Sequence, residues 1–146
     1  MEVLLNVCVY LLFFTLLGIA VAVDIKKREI PNWVIFSTVL LWVLWQCALL
    51  AIGASPDLLR AISALAVFIT LLVFTFTAEK IFKRYLFGGG DIKLVAASTL
   101  FLGVNGMLIA VFFACMVSLI YALANLARGI PFAPCMLCGT LIALLL

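Results

Sequence analysis

The stretch LVAASTLFLGVNGMLIAVFFACMVSLIYALANLA, residues Leu94–Ala127, decides the fold because it is uncharged throughout and too long for one ordinary membrane crossing. As one straight α-helix it would measure about 51 Å, whereas the hydrocarbon core of a bilayer is about 30 Å thick. The turn-forming cluster Gly103-Val104-Asn105-Gly106 lies inside the stretch and predicts a break. We therefore expect a short span four from Asp91 to Leu102 and a full span five from about Met107 to Ala127.

The remainder of the chain is equally apolar. Of its 146 residues, 69% are hydrophobic and 10% are charged, whereas soluble domains carry about 25% charged residues. Uncharged runs predict the other membrane spans: span one Val3–Val23, span two Trp33–Gly53, span three Ala61–Ala78 and a short span six Phe132–Leu146. The sequence thus predicts an all-α, polytopic membrane protein with six transmembrane helices, forming a single integral membrane domain over residues 1–146.

Turn signals and one charged segment separate these spans. Pro31 disfavours helix at the residue before it, and Asn32 is expected to cap span two. The turn Gly53–Asp57 ends span two, and Arg128–Pro131 ends span five. The segment Glu79–Phe87 has basic and apolar residues on opposite sides of a helix, which fits either a short amphipathic helix on an anionic membrane surface or a charged loop.

The distribution of positive charge predicts the orientation of the chain. With six spans, every basic residue except Arg60 falls in an odd-numbered loop. The side of the membrane that is rich in Lys and Arg is normally cytoplasmic, so both termini are expected to be non-cytoplasmic. The same count places Asp24 and Asp91 together at the cytoplasmic face, although they are far apart in the sequence.

These two aspartates are the candidate catalytic residues. The chain has six Asp and Glu residues, and an ionisable group at the edge of the hydrocarbon is costly enough to suggest a function. Two neighbouring carboxyl groups do not both ionise cheaply, so one can take a proton from water while the protonated partner polarises a peptide carbonyl. Because the chain has no histidine, Ser-His and Cys-His mechanisms are excluded.

The expected helix ends suggest how the pair divides its roles. Asp91 should lie at a helix N-terminus, which favours the anion, and Asp24 near a helix C-terminus, which disfavours it. We therefore expect Asp91 to start as the anion and Asp24 to carry the shared proton. Structural alternatives remain open: Asp91 as a simple helix cap, and Asp24 paired with Lys27 or Arg28 one turn away.

Three motifs resemble those of the prepilin peptidase family, the Gly-x-Gly-Asp aspartyl proteases that process type IV pilin precursors. They are Asp24 followed by Ile30-Pro31-Asn32, then Gly88-Gly89-Gly90-Asp91-Ile92-Lys93-Leu94, and finally Ile130-Pro131-Phe132-Ala133-Pro134. The resemblance implies that Asp24 and Asp91 match the catalytic pair, and that Gly88, Gly90 and Lys93 match the surrounding motif. It further implies cleavage of a prepilin or pseudopilin precursor at the cytoplasmic face of the inner membrane, just before the apolar helix of the pilin.

Two further features bear on this resemblance. Bifunctional members of the family carry a cytoplasmic insert with two Cys-x-x-Cys pairs after the first span, whereas the loop here is short and has no cysteine. We therefore expect cleavage without N-methylation, and no metal or other cofactor. The resemblance also leaves Gly89, Pro31 and Asn32 as candidate substrate-binding or motif-supporting positions.

Other residues support more than one interpretation. Cys135 and Cys138 form a Cys-x-x-Cys within an apolar span and are interpreted as small buried side chains, because one pair supplies only two zinc ligands. Lys93 either steadies negative charge at the aspartates or reaches to the membrane interface. The basic residues line a membrane face, which gives no indication of nucleic-acid binding, and the oligomeric state is not predicted.

Three alternative functions compete with a surface peptidase. A small proton-coupled transporter or channel also uses intramembrane aspartates. An intramembrane protease of the presenilin kind shares the Gly-x-Gly-Asp chemistry but cuts within the bilayer, whereas both aspartates here lie beside basic loops. A catalytically idle assembly subunit is the third, and the intact aspartates argue against it.

Overall fold

The computed structural model describes residues 2–83, 88–124 and 132–146, and these form an all-α bundle. Within the described residues the helices are α1 Glu2–Lys27, α2 Asn32–Ala51, α3 Leu59–Phe82, α4 Gly89–Ala124 and α5 Phe132–Leu145. Helix α4 packs against α5, α3 and α2, while α1 packs against α2 and α5. The fold class predicted from the sequence is confirmed at this level.

The helices are apolar enough to cross a membrane. In the described part of the chain, α1 to α4 each meet the length and hydropathy of a membrane span, and α5 is a shorter apolar helix. Large apolar side chains cover the outside of the bundle; Phe36 and Phe76, for example, are more than two-thirds exposed. An apolar exterior of this kind is expected where lipid rather than water surrounds the protein. The chain is therefore a multi-pass membrane protein.

Helix α4 is interrupted at Gly103, where the sequence predicts a break. Gly103 has φ 68° and ψ 179°, a backbone conformation that is essentially restricted to glycine. It divides α4 into an N-terminal arm, residues 89–102, and a C-terminal arm, residues 104–124. Span four and span five of the sequence prediction correspond to these two arms.

The contacts of α5 show that the two arms run in different directions. If α4 were straight, Ala114 would lie about 34 Å along it from Asp91. Instead, Gly139 of α5 packs directly on Ala110 and Ala114, only about 9 Å along α5 from Ala133. Ala133 bonds to Asp24, and Asp24 shares a cavity with Asp91. The chain must therefore turn back at Gly103.

Gly139 allows the close approach of α5 and the C-terminal arm of α4. A Cβ atom at position 139 would overlap the carbonyl oxygen of Ala110, so only glycine fits there. Ala110, Ala114 and Ala133 are completely buried nearby. Small residues at a contact between membrane helices let the two backbones approach, which increases their van der Waals contact.

The bundle has two distinct ends. At the first, Trp45 near the end of α2 donates a hydrogen bond to Asn6 at the start of α1, with 3.0 Å between Nε1 and Oδ1. Also there, Arg60 at the start of α3 donates to the carbonyl oxygen of Phe101 in α4. At the opposite end, α1 finishes while α2, the N-terminal arm of α4 and α5 begin, and this second end carries the cavity described below.

Phe101 anchors the first end. Its ring stacks on Phe13 with 4.4 Å between centroids, and its carbonyl oxygen accepts hydrogen bonds from Tyr10 Oη at 2.9 Å and Arg60 Nη1 at 2.6 Å. Carbonyl groups just before a helix break need donors from outside the helix. Arg60, the one basic residue that departs from the charge pattern of the sequence, thus stabilises the interrupted helix and also pairs with Asp57 at 2.7 Å.

The structure corrects several local expectations. The first part of Glu79–Phe87 is the last turn of α3, which ends at Lys83 in a left-handed conformation with φ 53°, so no separate amphipathic helix begins at Glu79. Pro31, not Asn32, is the cap residue of α2, and its helix start has no side-chain cap. Cys135 is buried as expected, whereas Cys138 is exposed. Residues 84–87 and the turn Arg128–Pro131 lie outside the described residues.

We predict that Gly103→Ala lowers the free energy of unfolding by about 1–3 kcal/mol, because alanine is strained at the backbone conformation of Gly103. Gly18→Ala in α1 is the matched control: no atom lies within 4 Å of the added Cβ, and the glycine is in a helix. The control should be neutral or stabilising by up to about 1 kcal/mol. Thermal unfolding in detergent, followed by circular dichroism, compares them; equal effects would contradict the proposed strain at Gly103.

Candidate functional site

A cavity of about 320 Å³ opens at the second end of the bundle, where α1 ends and α2, α4 and α5 begin. Its lining brings together both predicted aspartates, the predicted glycines and four further residues: Asp24, Arg28, Glu29, Ile30, Gly88, Gly89, Gly90, Asp91 and Phe132. The two carboxyl groups therefore face one space, although separate helices carry them. This is the arrangement that the sequence predicted for a pair acting together.

Asp24 lies in the last turn of α1, with its side chain directed into the bundle. It is 5% exposed, and its Oδ2 accepts a hydrogen bond from the backbone N–H of Ala133 at 3.0 Å. A buried carboxylate needs such a donor because burial without one is costly. Within the described residues, Asp24 forms no ion pair with Lys27 or Arg28, so the alternative of a simple helical salt bridge is not supported.

Asp91 is the third residue of α4 and lies on the other side of the cavity. Its backbone N–H donates to the carbonyl oxygen of Gly88 at 3.0 Å, which closes the first turn of the helix. Its carboxyl group lies against Gly88, since a Cβ added to Gly88 would be 3.0 Å from Asp91 Oδ2. Because Asp91 is inside the first turn, it is not the cap residue that the structural alternative required.

The three consecutive glycines differ in their surroundings. A Cβ at Gly90 would be 3.1 Å from the Cβ of Ile30, so the start of α4 packs closely on the residues before α2. Gly88 has equally little room, because Asp91 lies over it. At Gly89, by contrast, no atom lies within 4 Å of the added Cβ. A side chain at Gly88 or Gly90 would therefore have to displace its neighbour by a few tenths of an ångström, whereas Gly89 faces open space in the cavity.

Lys93 and Asn32 form a link between α4 and α2. Lys93 Nζ donates to Asn32 Oδ1 at 3.0 Å. Lys93 does not line the cavity, and its ammonium group is on Asn32 rather than on the aspartates. Pro31, which precedes Asn32, begins α2 with φ −69° and thereby places Ile30 against Gly90. These predicted site residues thus support the cavity from outside.

Four lining residues and one backbone donor were not predicted as parts of the site. Arg28, Glu29, Ile30 and Phe132 line the cavity, and the donor is the N–H of Ala133. Phe132 and Ala133 belong to the third motif that resembles the prepilin peptidase family, and that motif could have indicated that they lie near the aspartates. Arg28 was considered as a loop charge and as a possible partner of Asp24, and Glu29 only as a loop charge, because nothing in their pattern shows that α1 ends beside the start of α4.

The chemistry available here is that of two carboxyl groups beside water. The cavity contains room for a water molecule and for part of an extended peptide, since it is several times the volume of one water. One carboxylate can accept a proton and its protonated neighbour can donate one. The family model of type IV leader peptidases matches residues 11–123 of the chain.

The chain belongs to the type IV leader peptidase family. The match runs from within α1 to the end of α4 and includes both aspartates and all three glycines of the cavity. The resemblance to prepilin peptidases inferred from the sequence motifs is thereby confirmed, and the family consists of aspartic-type peptidases. Comparisons with curated proteins and with solved structures gave no match.

We predict that the leader-peptidase activity expected of this chain falls about tenfold or more in Gly88→Ala and Gly90→Ala, and changes little in Gly89→Ala. The first change displaces the Asp91 carboxyl group, and the second moves α4 away from Ile30. Small displacements of reacting groups are costly to catalysis. Cleavage rates of the three variants at matched protein levels provide the measurement, and equal loss in all three would contradict the packing argument.

We also predict that Lys93→Met and Asn32→Leu each lower activity by the same modest factor, about two- to tenfold, and that the double variant is no worse than either alone. Both changes remove the same hydrogen bond, whose net contribution is about 0.5–1.5 kcal/mol. Lys26→Met, an exposed lysine outside the cavity lining, is the control and should retain full activity. Additive losses in the double variant would show that the two residues act separately.

Proposed function

We propose that this protein is a membrane aspartic endopeptidase that removes the leader peptide of type IV prepilin-like precursors at the cytoplasmic membrane face, with Asp24 and Asp91 as its catalytic residues. The observation that carries the proposal is that these two carboxyl groups, from α1 and α4, face one cavity in a chain of the leader peptidase family. Residues 1–146 would act as a single peptidase domain.

The proposed reaction needs only water and the two carboxyl groups. The ionised aspartate takes a proton from water as the water oxygen attacks the carbonyl carbon of the substrate. The protonated aspartate donates a hydrogen bond, and then its proton, to the carbonyl oxygen. When the tetrahedral intermediate breaks down, the C–N bond is cleaved and the aspartate that took the proton from water gives it to the leaving amine. The other aspartate takes a proton back from a hydroxyl group of the intermediate as the new carboxyl group of the product forms. No cofactor is required, and the pair ends with one proton, as it began.

The location of the cavity supports cleavage at the membrane surface rather than within the bilayer. Described basic residues at the end of the bundle that carries the cavity are Lys26, Lys27, Arg28, Lys80, Lys83 and Lys93, whereas Arg60 lies at the other end. A basic end is normally cytoplasmic. With α4 crossing twice through its two arms, the proposal gives six transmembrane helices, both termini on the non-cytoplasmic side, and residence in the inner membrane.

The surroundings of the cavity also favour an extended substrate segment. Gly89 leaves space beside Asp91, and the backbone at the start of α4 is accessible there. Gly88, Gly89 and Gly90 would form one wall for the substrate, while Pro31, Asn32 and Lys93 hold that wall in place. The connection between α1 and α2 is short and has no cysteine, so we propose cleavage without N-methylation.

The test uses the fact that the chain contains three aspartates, Asp24, Asp57 and Asp91. We predict that Asp24→Ala and Asp91→Ala each abolish processing of co-expressed prepilin-like precursors, while Asp57→Ala still processes them. Asp57 is the matched control because it lies at the opposite end of the bundle, paired with Arg60. The measurement is the size of the pilin product on a gel, with membrane levels of each variant compared by blotting.

Two outcomes would contradict the proposal. Processing that persists without Asp24 or Asp91 would remove that residue from the catalytic pair. Failure of the unaltered protein to shorten any of several prepilin-like precursors, together with proton flux into liposomes that Asp24→Asn or Asp91→Asn abolishes, would identify a transporter instead.

A further inference from the structure

Helix α5 takes no part in the proposed reaction, although its first two residues lie at the cavity. Phe132 lines the cavity, and the backbone N–H of Ala133 donates a hydrogen bond to Asp24 Oδ2 at 3.0 Å, in a buried position. We propose that α5 is a positioning element of the site: the N–H of Ala133 fixes the direction of the Asp24 carboxyl group, and the contact of Gly139 with α4 fixes the place of that N–H. Only the effect on cleavage rests on the proposed function.

The two aspartates have donors that belong to different parts of the fold. Asp91 accepts a hydrogen bond from the backbone of Gly88, which directly precedes α4, so this donor and the carboxyl group move together. Asp24 lies in the last turn of α1, whereas its donor is the second residue of α5. The direction of the Asp24 carboxyl group therefore depends on how α5 is placed against α1.

The first turn of α5 makes the Ala133 donor available to Asp24. The N–H groups of a first helical turn have no acceptor within their own helix. Pro134, the next residue, has no N–H to leave unpaired and is tolerated in a first turn. Ala133 is completely buried and Asp24 is 5% exposed, so water does not compete for either group and one geometry is retained.

Farther along the same helix, Gly139 determines how closely α5 approaches the C-terminal arm of α4. A Cβ at position 139 would overlap the carbonyl oxygen of Ala110 and would lie 3.0 Å from the backbone nitrogen of Ala114. Both obstacles are backbone atoms of a helix, which cannot turn aside as a flexible side chain can. Because non-bonded heavy atoms prefer separations of about 3.5 Å or more, an alanine here would move α5 by roughly 1 Å.

A movement of this size exceeds what the bond between Ala133 and Asp24 tolerates. Helix α5 packs on both α1 and α4, so a shift away from α4 changes its position against α1. Hydrogen bonds from N–H to oxygen are mostly about 2.7–3.2 Å long, and this one already measures 3.0 Å. The displaced helix would therefore lose the bond, and the Asp24 carboxyl group would lose its fixed direction.

The first experiment follows the hydrogen bond by NMR in detergent micelles, without any substrate. Labelling Phe with 13C at the carbonyl and Ala with 15N selects the amides of Ala114 and Ala133, because the chain has two Phe-Ala pairs, and Ala133→Ser assigns them. An amide proton bonded to a carboxylate resonates downfield. The Ala133 proton should therefore move upfield in Asp24→Ala, and in the same direction in Gly139→Ala.

A control and a second variant complete the NMR experiment. Val9→Ala, a buried change near the other end of α1, should leave the Ala133 signal in place although it lowers stability. If Gly139→Ala does not accumulate, Ala114→Val enlarges the same contact from the α4 side. An unmoved Ala133 signal in Asp24→Ala overturns the inference, and an unmoved signal in the Gly139 or Ala114 variant overturns the role of Gly139. Failure of both variants to accumulate would make the contact a folding requirement and overturn that role as well.

The second experiment removes the donor and leaves every side chain in place. Ala133→lactate, introduced by cell-free translation with an α-hydroxy acid, replaces the N–H by an ester oxygen. The variant should lower kcat for prepilin-like precursors by about tenfold to a hundredfold with little change in KM, because the bond orients a reacting group. Ala48→lactate makes the same change within α2, at the first end of the bundle, and should retain kcat. Equal values of kcat in the two variants would overturn the inference.

The double variant distinguishes positioning from a general loss of stability. Since Gly139→Ala and Ala133→lactate act on the same hydrogen bond, together they should lower kcat little more than the more damaging change alone. Multiplied losses would overturn the role of Gly139. If the unaltered protein cleaves no precursor while the NMR shifts are as expected, the proposed function fails and the placement of Asp24 by α5 stands.

Discussion

A buried carboxylate constrains this entire bundle. Asp24 lies inside a membrane protein, where an uncompensated carboxyl group would be expensive, and its donor is the N–H of Ala133, 109 residues away in the sequence. To bring that donor to the end of α1, the chain must reach the same end of the bundle when α5 begins. The break at Gly103 makes this possible, because it turns α4 back before α5 starts. The fold and the site therefore depend on each other.

The two ends of the bundle satisfy their polar groups in different ways. At the first end, Arg60 pairs with Asp57, and both Arg60 and Tyr10 donate hydrogen bonds to the carbonyl oxygen of Phe101. The polar side chains there therefore stabilise the interrupted helix. At the second end, the two aspartates of the cavity are not neutralised by an ion pair within the described residues. Carboxyl groups without an ion-pair partner remain able to exchange protons, and such groups are candidates for catalysis. This difference distinguishes the cavity from the polar cluster at the first end, which has a structural role.

The sequence predicted the architecture well because membrane spans are determined by composition and length. The uncharged run Leu94–Ala127 was too long for one crossing, and Gly103 lay within the predicted turn cluster; the structure breaks the helix at that residue. Asp24 and Asp91 were brought together by counting spans, which required no knowledge of packing. Segment ends were less predictable: α3 continues to Phe82 through residues that were also consistent with a loop, because charged residues are tolerated where a helix leaves the membrane.

Details of the site escaped prediction for a different reason. Single-sequence arguments describe side chains, whereas the decisive contacts here involve backbone atoms and close approaches between helices. Almost any residue at position 133 would supply the same backbone N–H, so the residue type does not indicate this hydrogen bond. Likewise, three consecutive glycines look alike in the sequence, although the space around Gly88, Gly89 and Gly90 differs in the structure. Lys93 illustrates the same point: its position suggested either that it steadies negative charge at the aspartates or that it reaches to the membrane interface, and its ammonium group binds Asn32.

The start of α4 combines two requirements that ordinarily conflict. Under the proposed function it must be held firmly, so that Asp91 faces Asp24 across the cavity, and it must leave room for a peptide backbone beside the carboxyl groups. The chain resolves this by dividing the tasks among adjacent residues. Gly90 packs on Ile30 and Lys93 bonds to Asn32, which fix α4 against the start of α2, while Gly89 presents no side chain to the cavity. A rigid support with one open position is the arrangement that a peptidase acting on an extended segment needs.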